Sequence, residues 1–100
     1  MPYQYKLHPV AQKEYESSLS WYLERSFDAA ENFVKAVDAA LTEICRDPNR
    51  YRNKYKNYRE YGLRKYPFDI VYVVEEQLQL IVIVAIFHEK RHPKGKYRKA

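Results

Sequence analysis

The chain is predicted to be an α+β domain in which one strand precedes two helices and three further strands follow, the helices pairing as a hairpin on a mainly antiparallel four-stranded sheet. Three observations predict it. The first half carries two stretches of apolar residues at helical spacing. The second half carries three β-rich runs separated only by short breaks. An apolar fraction of 46% with 16% aromatics over 100 residues is enough to fill one core without metal or disulfide.

Tyr3 to Leu7 alternates aromatic or apolar residues with Gln4 and Lys6, the period of a short strand with one buried face. His8 and Pro9 break it, and proline suits a first helical position. Ala11, Tyr15, Leu19 and Tyr22 then recur at helical spacing to about Arg25, with Trp21 off that stripe as a candidate partner anchor. Ser26 can cap a second helix, with Asp28 in its favourable first turn. Ala30, Phe33, Val34, Val37, Leu41 and Ile44 form that helix's stripe, and Asp47 with Pro48 ends it. So short a connection makes the helices a hairpin whose stripes need a sheet to cover them.

That sheet is read in Tyr58 to Tyr66, Phe68 to Glu75 and Leu80 to His88, broken at Pro67 and at Glu76 to Gln79. Leu80 to Phe87 is apolar on both faces and belongs inside the sheet. Arg59, Arg64 and Lys65 place Tyr58 to Tyr66 nearer an edge. No linker or repeat divides the chain, so residues 1–100 read as a single domain, with 94–100 a basic tail polar enough to fray.

The net charge of +5 is unevenly placed. Residues 46–66 sum to +6 and residues 88–100 to +5, while 1–45 and 67–87 sum to −3 each. Two positive blocks imply an anionic partner: nucleic acid, a ribosome or an acidic protein segment. The segment Met1 to Leu7 lacks the basic and apolar regions of a signal peptide. The longest apolar run, Leu80 to Phe87, is far shorter than a membrane helix needs, so a cytoplasmic protein with no membrane partner is expected. Cys45 is the only cysteine and reads as a structural thiol. With glycine only at 62 and 95 there is no phosphate loop, and no Ser/His/Asp or Cys/His set has suitable spacing.

From Pro48 onward the sequence resembles the RelE/ParE toxin superfamily of type II toxin–antitoxin and plasmid stabilisation systems. A helix ends in proline, a strand contains Gly62-Leu63-Arg64, and Pro67-Phe68-Asp69-Ile70-Val71-Tyr72 follows. Then come Ile83-Val84-Ala85-Ile86-Phe87-His88, Lys90-Arg91 and Pro93. Each motif is diffuse; the combination, with two amphipathic helices before it, is specific and spans nearly the whole chain. The resemblance implies a RelE/ParE-like β-α-α-β-β-β fold with a curved sheet. It also implies a cognate acidic antitoxin that wraps the toxin as helix or strand, and a toxin–antitoxin heterotetramer as an allowed assembly.

The superfamily divides by target. ParE-like members poison DNA gyrase, whereas RelE-like members cut mRNA in the ribosomal A site without metal. For the second group the resemblance points to Arg64, Lys65, His88, Arg91 and Tyr97 as catalytic residues, cations holding the phosphate and His88 or Tyr97 moving protons. Such nucleases commonly carry arginine where this chain has Asp69, and a carboxylate there repels phosphate. The expectation is therefore a ParE-like inhibitor of growth acting through gyrase, with a ribosome-dependent mRNA endoribonuclease as alternative and a non-toxic basic nucleic-acid-binding module as a third reading. No cofactor or metal is expected. His88-Glu89-Lys90-Arg91-His92 matches the H-E-x-x-H zinc pattern, but it continues a β-rich run and meets Pro93 where the chemistry needs a helix. Tyr51, Tyr55, Tyr58 and Tyr61, interleaved with Arg50, Arg52, Lys54, Lys56 and Arg59, either cover a sheet edge or stack on bases while the cations meet phosphates.

Overall fold

Helix α1 (Pro9–Arg25) starts where the sequence turns it, at Pro9, and the His8 imidazole caps it by accepting the Val10 N–H at 3.1 Å. Helix α2 (Phe27–Arg46) begins at Ser26, whose hydroxyl oxygen accepts the Ala29 N–H at 2.9 Å, and stops before Pro48. The structure, a computed structural model, describes residues 3–91 and 95–99. The strands are β1 (Gln4–Leu7), β2 (Asn53–Tyr55), β3 (Tyr58–Gly62), β4 (Phe68–Glu75) and β5 (Leu80–His88).

The sheet order is β1-β5-β4-β3-β2, with β1 parallel to β5 and the other neighbours antiparallel. It holds one strand more than the four read from the sequence. The addition, β2, is three exposed residues pairing along β3, too short to show a period. Strand β3 also ends four residues before Tyr66. Leu63 N–H donates to the Phe68 carbonyl across a bend that holds Arg64 and Lys65, and Pro67 has no N–H for a ladder.

In the register of β4 with β5, Val71 pairs Ala85 and Tyr72 pairs Ile83, which leaves Val84 as a bulged residue. The bulge interrupts the strict alternation of β5, so the consecutive Val84 and Ala85 fall on one face. Ile81, Ile83 and Ile86 face the helices, and Val82, Val84, Ala85 and Phe87 face the opposite side. The helix side is the larger core, where Phe33 touches the rings of Tyr15, Tyr22, Tyr66 and Phe68 at centroid distances of 4.8 to 5.8 Å. Tyr72 is fully buried there and its hydroxyl donates to the Pro48 carbonyl at 2.6 Å, tying the end of α2 to the sheet. Burial holds its pKa well above the ordinary tyrosine value, so it stays a donor.

The second face is covered by the chain's own C-terminal segment. Composition suggested a fraying basic tail; residues 95–99 instead cross β3, β4 and β5, with Tyr97 packed on the apolar cluster of that face. Lys94 and Ala100 lie outside the described residues.

Candidate functional site: a groove beside the open end of β5

Strand β1 pairs with β5 only from Leu80 to Ile83. His8 N–H then donates to the Ile83 carbonyl at 2.8 Å and the chain leaves into α1. Beyond that point the outer edge of β5 is satisfied by side chains. Ile86 N–H donates to the Glu14 carboxylate at 3.0 Å, and the Arg98 guanidinium donates to the Val84 carbonyl. Glu14 also pairs with Arg91 at 3.1 Å and Arg98 at 3.3 Å, its side chain only 8% exposed. Helix periodicity explains its place: Glu14 lies one turn after the fully buried Ala11, on the face that α1 turns to the sheet.

Beside this edge lies a groove of about 670 Å³ between α1 and the ends of β4 and β5. Val10, Trp21, Tyr22, Phe68 and Ile86 line it with apolar surface, while Lys13, His88 and Arg91 outnumber Glu14 on its polar side. Trp21 is half exposed, with the Arg25 guanidinium 3.4 Å from its ring centroid. This is a rigid amphipathic anchor of the kind that dominates interfaces.

The five residues carried over from the nuclease resemblance do not converge. His88 and Arg91 share the groove; the His88 ring meets Phe68 edge-on and its Nδ1 accepts the Lys90 N–H at 3.1 Å. Arg64 and Lys65, read as strand residues, sit in the exposed bend after β3 beside α2. Tyr97 lies on the opposite face of the sheet, stacked on Tyr55 at 4.9 Å, with its hydroxyl donating to Glu60. Burial first, and then the Glu60 carboxylate, push the Tyr97 pKa up to about 12. A phenol so held is a poor proton carrier near neutral pH.

Asp69 is not an isolated carboxylate. Lys96 Nζ lies 2.9 Å from Glu60 and 3.3 Å from Asp69 in a largely buried cluster. Burial opposes the Lys96 charge, but its bonds and attraction to Glu60 and Asp69 outweigh that and hold its pKa above the ordinary value. Gly62 makes room, because a Cβ there would stand 3.3 Å from an Asp69 carboxylate oxygen. Sequence reasoning missed Glu14, Glu60, Lys96 and Arg98 as site residues. The one available signal was Glu60 inside a strand, a position where an unpaired charge is costly.

The raised pKa values of Tyr97 and Lys96 fix the sign of a pH effect. The folded state holds these protons more tightly, so the Tyr97 contribution is complete below pH 10 and is lost as pH rises towards about 12, and that of Lys96 is likewise lost only above the ordinary lysine range. Urea unfolding at a series of pH values will show stability falling across that interval, by a smaller amount in Tyr97→Phe. An equal fall in the variant would contradict the Tyr97 assignment.

Burial pushes the Cys45 thiol above its ordinary value, which disfavours the thiolate. The zinc pattern's first imidazole ends a strand, Glu89 and Lys90 follow in a turn, and His92 lies outside the described residues. No group of three potential metal ligands occurs among the described residues, and no described helix is long and apolar enough to cross a membrane.

Two helices packed on a mixed five-stranded sheet make this an α+β fold of the RelE/ParE toxin type. Residues 5–93 match the family described as the ParE toxin of the type II toxin–antitoxin system parDE, and the chain belongs to that family. Among solved structures, a chain of the toxin–antitoxin complex RelBE2 from Mycobacterium tuberculosis is similar. The match has a TM-score of 0.59 and 15% identity, covering 88% of this chain and 99% of that one. No curated protein matches.

Proposed function

We propose that this type II toxin acts by binding, in the ParE-like manner on DNA gyrase in the cytoplasm, and not by cutting RNA. The observation that carries the reading is the dispersal of the five cleavage candidates over three surfaces. Tyr97 and Lys96 are locked to Glu60 and Asp69 on a face covered by residues 95–99. Cleavage needs cations and a proton carrier converging on one phosphate, and each missing stabiliser costs about 10²-fold or more in rate. A ribosome-dependent endoribonuclease is the second reading, favoured by the placement of His88 and Arg91 in one groove.

The cognate antitoxin is proposed to seat an amphipathic, acidic segment in that groove. Its apolar face would cover Trp21, Phe68 and Ile86, and its carboxylates would meet Lys13 and Arg91. A heterotetramer is the proposed assembly. The test is gyrase supercoiling of relaxed plasmid with ATP: the purified toxin is expected to inhibit it and the antitoxin to restore it. Undiminished supercoiling at saturating toxin would overturn the gyrase target.

A further inference from the structure

We infer that the β2–β3 hairpin is a second binding surface, one that takes a single-stranded nucleic acid through its phosphates and one base face. Arg52 stands just before β2, Lys54 lies on it and Lys56 begins the turn after it, so three cations fall within five residues at the sheet's outer edge. All three are exposed, and none makes an ion pair among the described residues. Lys56 takes the turn with a left-handed φ of 49°, a conformation that favours glycine or asparagine and is strained for lysine. The turn therefore carries a cation at its tip at some cost to the backbone.

Beside it, Tyr55 is 47% exposed, held from behind by Tyr97 at 4.9 Å and Tyr58 at 6.2 Å in parallel stacks. Tyr58 in turn is fixed by its hydroxyl on the Arg98 carbonyl at 2.9 Å. The outer ring is thus braced, amphipathic and about half exposed, with Lys56 Nζ 5.3 Å from its centroid. A cluster of exposed cations beside a half-exposed aromatic ring is the chemistry that meets a polyanion with π-faces. An acidic amphipathic peptide is better served by the α1–β5 groove, where Val10, Trp21, Phe68 and Ile86 supply apolar surface beside Lys13 and Arg91. The inference is independent of whether gyrase is the target.

Fluorescence anisotropy with labelled oligonucleotides of about 15 nucleotides tests it. Single-stranded DNA and RNA arms identify the natural source, and a duplex arm and poly-glutamate serve as competitors. Wild-type protein is expected to bind both single strands, more tightly than duplex or poly-glutamate. In Arg52→Glu/Lys54→Glu/Lys56→Glu the slope of log affinity against log salt is expected to fall by about 2, as three phosphate contacts require. Tyr55→Leu is expected to weaken binding about 10-fold with the salt slope unchanged. Lys6→Glu/Lys35→Glu/Arg46→Glu, equal in charge change, is expected to bind like wild type. Equal losses in the two triple variants, tighter binding of poly-glutamate, or an unaffected Tyr55→Leu would each overturn the inference.

Discussion

Replacing Phe33 by alanine is expected to cost about 4 kcal/mol of stability, which for a domain of this size lowers Tm by about 20 °C. Phe33 is fully buried on α2 and its ring bridges α1, the β3–β4 connection and β4. It meets Tyr15 and Tyr22 on α1, Tyr66 in the bend and Phe68 on β4. Truncation loses the transfer energy of the ring and leaves a cavity that four anchored neighbours cannot close. Phe33→Leu keeps most of the volume and is expected to cost clearly less. Chemical unfolding of both variants checks this, and a loss below about 1 kcal/mol for the alanine variant would mean that the hairpin is held elsewhere.

Replacing Glu14 by alanine is expected to cost about 3 kcal/mol, since it strands the Ile86 N–H and removes the counter-charge of Arg98, itself mostly buried. Arg91→Ala is expected to cost under about 1 kcal/mol, because Arg91 is half exposed and its attraction is screened. Glu14→Gln keeps an acceptor for the amide but no charge and should fall between them. Calorimetric melting of the three variants would sink the assignment if Arg91→Ala matched Glu14→Ala. The alanine variant also uncovers the backbone of β5 beyond Val84, so a rise in aggregation should accompany the lost stability.

The elements legible in the sequence were those whose pattern is carried by neighbours. Pro9 and Ser26 mark both helix starts, and the apolar runs Phe68 to Glu75 and Leu80 to His88 are strands over those residues. Strand β2 was not legible, since Asn53–Tyr55 buries nothing and exists only through its pairing with β3. The bulge at Val84 was hidden for a different reason: a strand buried on both faces reads the same with or without an extra residue.

The site was harder to read than the fold. His88 and Arg91 were identified as chemistry-bearing residues and do share a groove, but the carboxylate that holds Arg91 and Arg98, Glu14, stands 77 residues from the one and 84 from the other. Lys96 read only as basic tail, and Tyr97 as a tail residue with a nuclease role, because their partners Asp69 and Glu60 lie on strands 27 and 37 residues away. Charge balance along the chain reveals that anions and cations exist in separate blocks. Only the folded chain shows that part of the second positive block is neutralised internally, while Arg52, Lys54 and Lys56 in the first remain exposed.

The measurement that most directly separates binding from cutting is the mapping of mRNA ends in a cell-free translation reaction given the purified toxin, with His88→Ala and Arg91→Ala alongside. Intact messages at concentrations of toxin that stop growth are the expected result, because the five cleavage candidates lie on three separate surfaces among the described residues. Codon-phased cuts that require translating ribosomes and disappear in the two variants would contradict it, and would make the α1–β5 groove a nuclease site.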